Sequence, residues 1–455
     1  MKKVLIILFI VISNLALALK LEIKDMITYE KSSYNSTNFI LNHSNENFSF
    51  YFDLDYINND KYKFGEERYN FGYYHILNQG FFNIKLNKNV SVKLGRMYHN
   101  DVINTPYTLF ISSEKQGISG IQIKYSDEKF FFETNWFQLN VLSDLGYPDR
   151  GANYRVYGIN LSDEWRFGYQ ESVVYTGRSF DFNYFTNPIP AYMSQSFYND
   201  TNAPWKQYTN ENSIMGLFLD RKRKNDYFCS QLLIDDMNWD WIFSPKSKNQ
   251  NPNKMAWSIG YKKAIKNIGK IGIYNAGSTK YTFEPMGNGT YDKATNTQYG
   301  YTYYPDNKYY GNDLNYIDNY IGYKYGENNI AFLVDFEKEI NKINLYTSFE
   351  YVVSGSKSPE NPWHEYTNYS QGGEGTKFLN DKKLEKTLNF SLKLNKNMGK
   401  YTLLGGVKLG RIINKLELKE IEEDKKTVGN NIRIYRPSDE IENSFELNIG
   451  IEYRF

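Results

Sequence analysis

The chain has 455 residues, 41% of them apolar, and its mean hydropathy of −0.63 is in the range of water-soluble proteins. Aromatic residues make up 17%, with 42 Tyr and 30 Phe, which excludes a disordered chain because disordered segments are poor in rings. The net charge of +2, without any basic stripe, excludes nucleic acid as an expected partner. The single cysteine, Cys229, excludes a disulfide framework and a cysteine-based metal site, and we expect no cofactor.

The N-terminal residues have the pattern of a secretory signal peptide. Lys2 and Lys3 precede the apolar run VLIILFIVI, and Ala16-Leu17-Ala18 offers a small-x-small cleavage site. The run is shorter than the ~20 apolar residues that a spanning helix needs, so a retained anchor is the less favoured alternative. We therefore expect a signal peptide over 1–18, export, and a single β-domain over 19–455.

Apolar and polar residues alternate in many segments of the exported chain, a pattern that predicts strands with two different faces. In FELNIGIEYRF, for example, Phe445 and Leu447 share one face while Glu446 and Asn448 share the other. In chain order, the predicted strands are 47–57, 68–77, 81–89, 90–98, 120–127, 128–138, 153–161, 163–175, 213–222, 226–236, 255–265, 268–276, 319–325, 328–337, 342–352, 388–395, 398–409 and 445–455.

These strands favour a membrane barrel over a soluble sandwich or propeller. Many run nine to twelve residues, close to the ~9–11 of a strand that crosses a bilayer. One face is rich in Phe and Tyr, which suits lipid and the interfacial girdles, and the other is rich in charges and amides, which suits a wet interior. The predicted fold is therefore all-β, a transmembrane antiparallel outer-membrane β-barrel, with a best count of 18 strands in a range of 16–20.

Long interruptions rich in Asn, Gly, Pro and aromatic residues separate the strands near 177–211, 237–254, 277–318, 353–383 and 410–442. In a simple meander the long loops should occupy every second junction. Three predicted strands separate 277–318 from 353–383, which gives the wrong parity. Either a strand is missed, one is split in two, or one interruption folds into the lumen.

The C-terminal segment resembles the closing strand of outer-membrane β-barrels, which typically alternate in this way and end in Phe. That resemblance implies that the β-barrel assembly machinery reads Phe455, and that the protein contacts the lipid of a Gram-negative outer membrane.

A second resemblance covers roughly residues 90–330. FGYQESVVYTGR, the loop YFTNPIPAY and a strand ending in QLLIDD resemble the Wzi-type capsule-assembly outer-membrane proteins; KLGRMYHN and YGNDLNYIDNYIGYKYG are similar too. This resemblance implies an 18-stranded barrel that binds surface polysaccharide at its outer face and aids capsule attachment or export. One departure matters: the family has a helical bundle before the barrel, whereas residues 19–46 are too short for it and their segment LEIKDMITYE has the pattern of a strand.

Glu171 interrupts an apolar stripe made by Trp165, Phe167, Tyr169 and Val173. Acidic groups that face lipid are costly at mid-depth, whereas a bulge after Tyr169 would turn Glu171 inward. We favour the inward orientation, with Arg178 as its partner, and leave the lipid-facing one open.

The loop FDFNYFTNPIPAYMSQSFYN supplies further candidates for glycan or lumen binding: Tyr184, Asn187, Tyr192 and Gln195. Aromatic rings beside amides suit sugars, because the ring packs on the apolar face of the sugar while amides bond its hydroxyls. The alternative is a loop packed into the lumen as a constriction.

Asp235 and Asp236 complete the candidate set. With Asp240 they offer three carboxylates within six residues, but the spacing matches no known calcium loop, so we interpret them as charge at the barrel rim. None of the four histidines lies in a recognisable metal or nucleophile signature, and we expect no enzyme. The sequence predicts a barrel that binds surface polysaccharide; the alternative is a general porin for small polar solutes.

Overall fold

A computed structural model describes residues 20–59, 72–112, 117–143, 146–199, 204, 211–237, 252–284, 300–304, 308–309, 312–313, 316–358, 376–421 and 432–455. The expected signal peptide lies outside these residues. Among the helices that are described, none has the length and apolar character needed to cross a membrane.

Eighteen antiparallel strands form one sheet, and the sheet closes because β1 pairs with both β2 and β22. The strands of the barrel are β1 (Lys20–Tyr29), β2 (Ser33–Ser44), β3 (Phe48–Ile57), β4 (Tyr74–Lys85), β5 (Val90–Met97), β6 (Ile118–Ser126), β7 (Phe130–Gln138), β8 (Arg150–Asn160), β9 (Trp165–Thr176), β10 (Glu211–Lys222), β11 (Asp226–Asp236), β12 (Lys254–Ile265), β13 (Gly269–Ser278), β16 (Asn329–Ile340), β17 (Ile343–Ser354), β18 (Glu385–Asn397), β19 (Tyr401–Ile413) and β22 (Ile441–Arg454).

The connections carry two small hairpins, β14 (Lys308–Tyr309) with β15 (Asn312–Asp313) and β20 (Leu416–Ile421) with β21 (Ile432–Pro437). They also carry three short helices: α1 (Phe182–Thr186), α2 (Ala191–Asn199) and α3 (Tyr316–Asn319).

The predicted count of 18 is confirmed, although its strands were partly wrong. The count of predicted strands omits β2, and it also leaves out β1 although LEIKDMITYE was interpreted as a strand. It also splits β4 into the two segments 68–77 and 81–89, and it counts 319–325, which is not a strand. Two omissions and two surplus strands cancel. Only β16 and β17 lie between the two long interruptions, so the parity conflict disappears.

The two ends of the barrel differ in their connections. The first residue of β1 and the last residue of β22 lie at the same rim. Eight connections of two to four residues lie at that rim too. The tightest is Asn341-Lys342, where both residues have positive φ (51° and 66°), as a two-residue hairpin turn requires. The opposite rim carries the long connections, which in outer-membrane barrels face the cell exterior. We call it the outer rim and the other the inner rim.

The alternation predicted for the C-terminal strand is present in three dimensions. Phe445, Ile449 and Ile451 are exposed on the outside of the barrel. On the other face Glu446 binds Lys408 at 2.8 Å, and Asn448 accepts a hydrogen bond from Thr28. Because neighbouring strands are in register, such rows continue around the wall, apolar outside and polar inside.

Candidate functional site

Two long connections fold back into the lumen from the outer rim. We call them together the plug, defined as residues 98–112, 300–304 and 316–325. Their backbones bond to each other as in a small irregular sheet: the Ser112 N–H donates to Ile321 O at 2.7 Å, and the Ile321 N–H donates to Tyr301 O at 3.1 Å. The sequence prediction left a fold-back of one interruption open, and the plug shows that 277–318 does so in part.

The contact between the plug and the wall is largely apolar. One cluster of buried apolar and aromatic side chains joins Tyr107, Phe110, Tyr301 and Tyr323 of the plug to inward-facing residues of the wall. The wall residues come from strands β6 to β17 and include Ile118, Phe137, Tyr154, Val174, Phe218, Leu233, Ala256, Tyr274, Leu333 and Val352. The plug therefore fills the outer half of the lumen along this arc of strands.

Asp101 organises the first plug segment. Its carboxylate accepts the backbone N–H groups of Leu109 (2.8 Å), Phe110 (3.1 Å) and Ile111 (2.6 Å), and also the Nε2 amide of Gln231 on β11 (2.8 Å). The residue is buried, and burial raises the pKa of Asp101 to about 6 against the opposing effect of these four donors. One side chain thus shapes the loop and ties it to the wall.

Other ties reach opposite sides of the barrel. Arg150 at the outer end of β8 is fully buried and donates to Gly300 O (2.7 Å) and Thr302 O (3.0 Å). Across the lumen, the Tyr107 hydroxyl donates to Glu350 of β17 at 2.8 Å. The plug is therefore fixed by hydrogen bonds at both ends of the arc of strands that it covers, from β8 to β17.

Beneath the plug lies a cavity of about 950 Å³ that extends to the turns of the inner rim. Its charged lining is mostly paired: Arg166 binds Asp220 at 2.6 Å, and Lys262 binds Asp335 (3.3 Å) and Glu337 (2.5 Å). Paired charges of this kind suit a wet structural wall.

The opposite wall of the lumen has a different character. On β3 and β4, the rings of Tyr51 and Phe81 stack with centroids 5.3 Å apart, and the Lys93 ammonium lies 3.8 Å from the centre of the Phe81 ring. Further toward the outer rim, the Asn38 amide donates to both Asp53 and Asp55 at 2.6 Å. These side chains face inward, and all of them except the buried Asp53 are only partly covered. We call this surface the aromatic–polar wall.

The candidates predicted around 171–195 lie elsewhere. Residues 177–199, which we call the outer flap, pack on the outside of strands β7 to β10. Of the predicted residues, Arg178, Tyr184, Asn187, Tyr192 and Gln195 belong to this flap, and none of them lines the lumen. The alternative of a lumen constriction is therefore wrong.

Glu171 faces outward, so the inward orientation that we favoured is wrong. The register between β8, β9 and β10 is unbroken and aligns Arg155, Glu171 and Met215 in a row two residues from exposed Leu217. The partner is Arg155, at 2.6 Å, and not Arg178. Both side chains are 2% exposed because the flap covers them. The flap that covers Glu171, and not a bulge in β9, removes the expected cost of a lipid-facing carboxylate.

The remaining flap candidates make structural contacts. Arg178 binds Asp181 (2.6 Å) and Glu211 (3.1 Å), and the Tyr184 hydroxyl donates to Glu211 at 2.7 Å. Burial of the Tyr184 hydroxyl and the nearby Glu211 raise the pKa of that hydroxyl far above its ordinary value. Gln195 accepts a hydrogen bond from Ser213 at 2.8 Å.

Asp235 and Asp236 end β11 at the outer rim. Asp235 is buried, binds Lys254 at 3.1 Å and accepts the Phe283 N–H at 2.7 Å, so it is not the solvated charge we expected. Asp236 pairs with Lys254 in the strand register, and Asp240 lies outside the described residues. Within the described ranges, no group of three or more His, Cys, Asp or Glu is placed to hold a metal ion.

Comparisons with solved structures show the same fold. The chain is similar to Wzi of Escherichia coli, described as an outer membrane protein involved in group 1 capsule assembly and a carbohydrate-binding β-barrel. The TM-score is 0.53 and the identity 12%, over 97% of this chain and 85% of Wzi. OprD of Pseudomonas aeruginosa gives a TM-score of 0.46 at 9% identity, over 96% of this chain and 94% of OprD. OccAB4 of Acinetobacter baumannii also gives 0.46 at 9%, over 96% and 97%. No family model and no curated protein matches the sequence.

Proposed function

We propose that the protein is an outer-membrane barrel that binds surface polysaccharide along the aromatic–polar wall, and that it aids the attachment or export of that polysaccharide. The observation that carries this proposal is the division of the lumen. A plug fixed at β8, β11 and β17 occupies one side, and on the other side the residues that the structure describes leave a stacked aromatic pair beside amides and carboxylates only partly covered.

The chemistry of the uncovered wall fits sugar. The ring of Tyr51, supported by its stacking on Phe81, offers an aromatic surface to a sugar ring, and the half-buried Asn38 and Asp55 offer a donor and acceptors for hydroxyl groups. Lys93 adds a cation, which favours a polysaccharide with acidic units. The description of Wzi as a carbohydrate-binding barrel supports the same class of ligand.

A binding experiment with purified protein tests the proposal. Capsular and other surface polysaccharides, acidic and neutral, are immobilised and the retention of the barrel in detergent is measured. Tyr51→Ala should weaken retention about fivefold, since an aromatic contact contributes about 1 kcal/mol, whereas Tyr51→Phe should retain the wild-type affinity. Tyr401→Ala serves as a matched control, because that ring lies exposed on the outside of the barrel.

The alternative function is a general porin. Its specific support is the partly exposed polar lining that faces the lumen on β18, β19 and β22, including Lys393, Lys408 and Glu446. A porin should show no retention on any polysaccharide and no sensitivity to Tyr51. Equal retention of wild type and Tyr51→Ala would also contradict a site on the aromatic–polar wall.

The proposal includes a location and a route. The protein acts in the Gram-negative outer membrane without enzymatic activity, and the β-barrel assembly machinery recognises the strand that ends in Phe455. Removal of Phe455, which is exposed at the inner rim, should lower the amount of folded barrel in the outer membrane without changing polysaccharide retention by the folded fraction.

A further inference from the structure

We propose that the outer flap is a re-entrant segment that lies within the lipid belt, with its exposed apolar side chains in contact with the acyl chains of the outer leaflet. This proposal does not depend on polysaccharide binding. It rests on how deep the flap reaches, how its backbone is satisfied, what it covers and what it exposes.

The flap reaches well below the outer rim. It leaves β9 at Gly177 and descends along the outside of the wall to Pro188, whose carbonyl accepts a hydrogen bond from Tyr157 at 3.1 Å. Tyr157 is the eighth of the 11 residues of β8, counted from the outer rim. A tilted strand needs about 9–11 residues to cross the hydrocarbon core, so this contact lies at membrane depth.

Irregular backbone at that depth requires hydrogen-bond partners, because lipid offers none. Side chains on the outer face of the wall supply them. Arg155 donates to Asn187 O and, at 2.9 Å, to Ile189 O; Thr134 donates to Phe185 O at 2.9 Å, and Trp136 donates to Ser179 O at 2.7 Å.

The backbone N–H groups of the flap near Pro188 also avoid exposure to lipid, because they are either absent or hydrogen-bonded. Pro188 and Pro190 have no N–H, and the Ala191 N–H at the start of α2 donates to Glu171 at 2.7 Å. Thr134, Trp136, Arg155 and Glu171 on this otherwise apolar outer face are thereby explained, since each bonds to the backbone of the flap.

The flap also removes a pair of charges from lipid. Arg155 and Glu171 both point away from the lumen, and only the flap separates them from the surroundings of the barrel. A bare carboxylate or guanidinium at this height of a lipid-facing wall is destabilising. Because the flap covers this ion pair, both side chains can form hydrogen bonds to the flap and so anchor it to the wall.

The outward surface of the flap is apolar. Its large exposed apolar side chains are Phe180, Phe182, Ile189, Tyr192, Met193 and Phe197, and the exposed Thr186 donates its hydroxyl to Phe182 O at 2.8 Å. This patch is continuous with the lipid-facing wall beside it, where Phe167 and Leu217 are exposed at the same face of β9 and β10. Continuity with the lipid-facing surface, at membrane depth, identifies acyl chains as the occupant.

Spin labelling in phospholipid nanodiscs tests the proposal. A nitroxide is attached to Phe182→Cys and Met193→Cys in the flap, to Leu217→Cys as the lipid-facing control, and to Lys383→Cys as the water-facing control. Cys229 is buried and stays in place, and unmutated protein gives the labelling background. The flap labels should collide with oxygen and resist a water-soluble nickel chelate to the same degree as the Leu217→Cys label.

Two results would overturn the proposal: nickel accessibility equal to that at Lys383→Cys, which means a water-exposed surface, or spin–spin broadening, which means that a second copy covers the patch. A measurement on unmutated protein guards against variants that misfold. Acyl-chain diazirine lipids should cross-link to peptides from 180–197 as well as to β10, and cross-links confined to the strands would equally refute a lipid-embedded flap.

Discussion

Replacing Arg155 with methionine should release the outer flap from the barrel wall. The substitution leaves Glu171 charged and buried, with Tyr169 (2.8 Å) and the Ala191 N–H as its remaining donors. It also removes the donors of two flap carbonyls, at Asn187 and Ile189. Breaking a buried ion pair from one side costs about 3–5 kcal/mol, so we expect the closed flap to lose about 4 kcal/mol relative to the open one.

Substitution of Glu171, the ion-pair partner of Arg155, should have an effect that is not additive with that of Arg155→Met. Glu171→Leu leaves Arg155 bound to two carbonyls and should cost about 3 kcal/mol. The double variant has no buried charge left, so it should cost about 4 kcal/mol, roughly 3 less than the sum of the single changes. This difference measures the ion pair itself.

Native-state proteolysis in lipid vesicles reads the opening of the flap. When the flap opens and closes faster than the protease cuts, the cleavage rate between 177 and 210 follows the open population. A loss of about 4 kcal/mol raises that population by nearly a thousandfold for Arg155→Met, at 1.4 kcal/mol per factor of ten. Arg166→Met is the control, because Arg166 forms an ion pair of the same 2.6 Å length with Asp220, but on the lumen side of the wall and away from the flap. Equal flap cleavage in both variants, or additive costs in the cycle, would refute the reasoning.

Three further changes test the plug and its surroundings. Asp101→Asn replaces one acceptor oxygen by an NH2 group, so at least one of the three plug N–H groups loses its acceptor. The free energy of unfolding in urea should fall by about 1–3 kcal/mol, and an unchanged urea midpoint would contradict the role of Asp101. Gly216→Ala places a methyl group 1.9 Å from Leu232 O and 2.9 Å from the Phe110 ring. It should destabilise the barrel by about 1–3 kcal/mol in the same assay, and an unchanged stability would contradict tight packing of the plug against β10. Burial lowers the pKa of Lys357, beyond the end of β17, from 10.5 to about 8, so the unfolded chain holds the proton more tightly than the folded one between these values. Stability relative to Lys357→Met should therefore rise with pH from 8 to 10.5 and stay level below 8, and a fall over that window would reverse the assignment.

The fold was predictable because a membrane barrel repeats one local rule. Alternation of apolar and polar residues needs no knowledge of distant contacts, and it located most strands of the wall, including the closing strand that ends in Phe455. It failed where alternation is interrupted. A register shift opposite Asp53 and Leu54 breaks the pattern within β4, which led to its division into two predicted strands.

The segments that pack inside and outside the barrel wall were harder to predict, because their positions depend on contacts between residues far apart in the chain. Tyr107 meets Glu350 across 243 residues, and Asp101 meets Gln231 across 130. Neither pair has a local signature. The alternation rule placed Glu171 on the lipid side correctly, and only the expected cost of that position suggested an inward turn. The polar residues Thr134, Trp136 and Arg155 on the same face were the available signal that something covers it.

Planar-bilayer current tests most directly whether the plug narrows the path through the lumen. Purified wild-type protein is compared with Asp101→Asn under the same lipid and salt. A plug held by Asp101, Arg150 and Tyr107 predicts no large steady current steps from the wild type and a clear increase in current from the variant. Large steady steps from the wild type that the substitution leaves unchanged would contradict it.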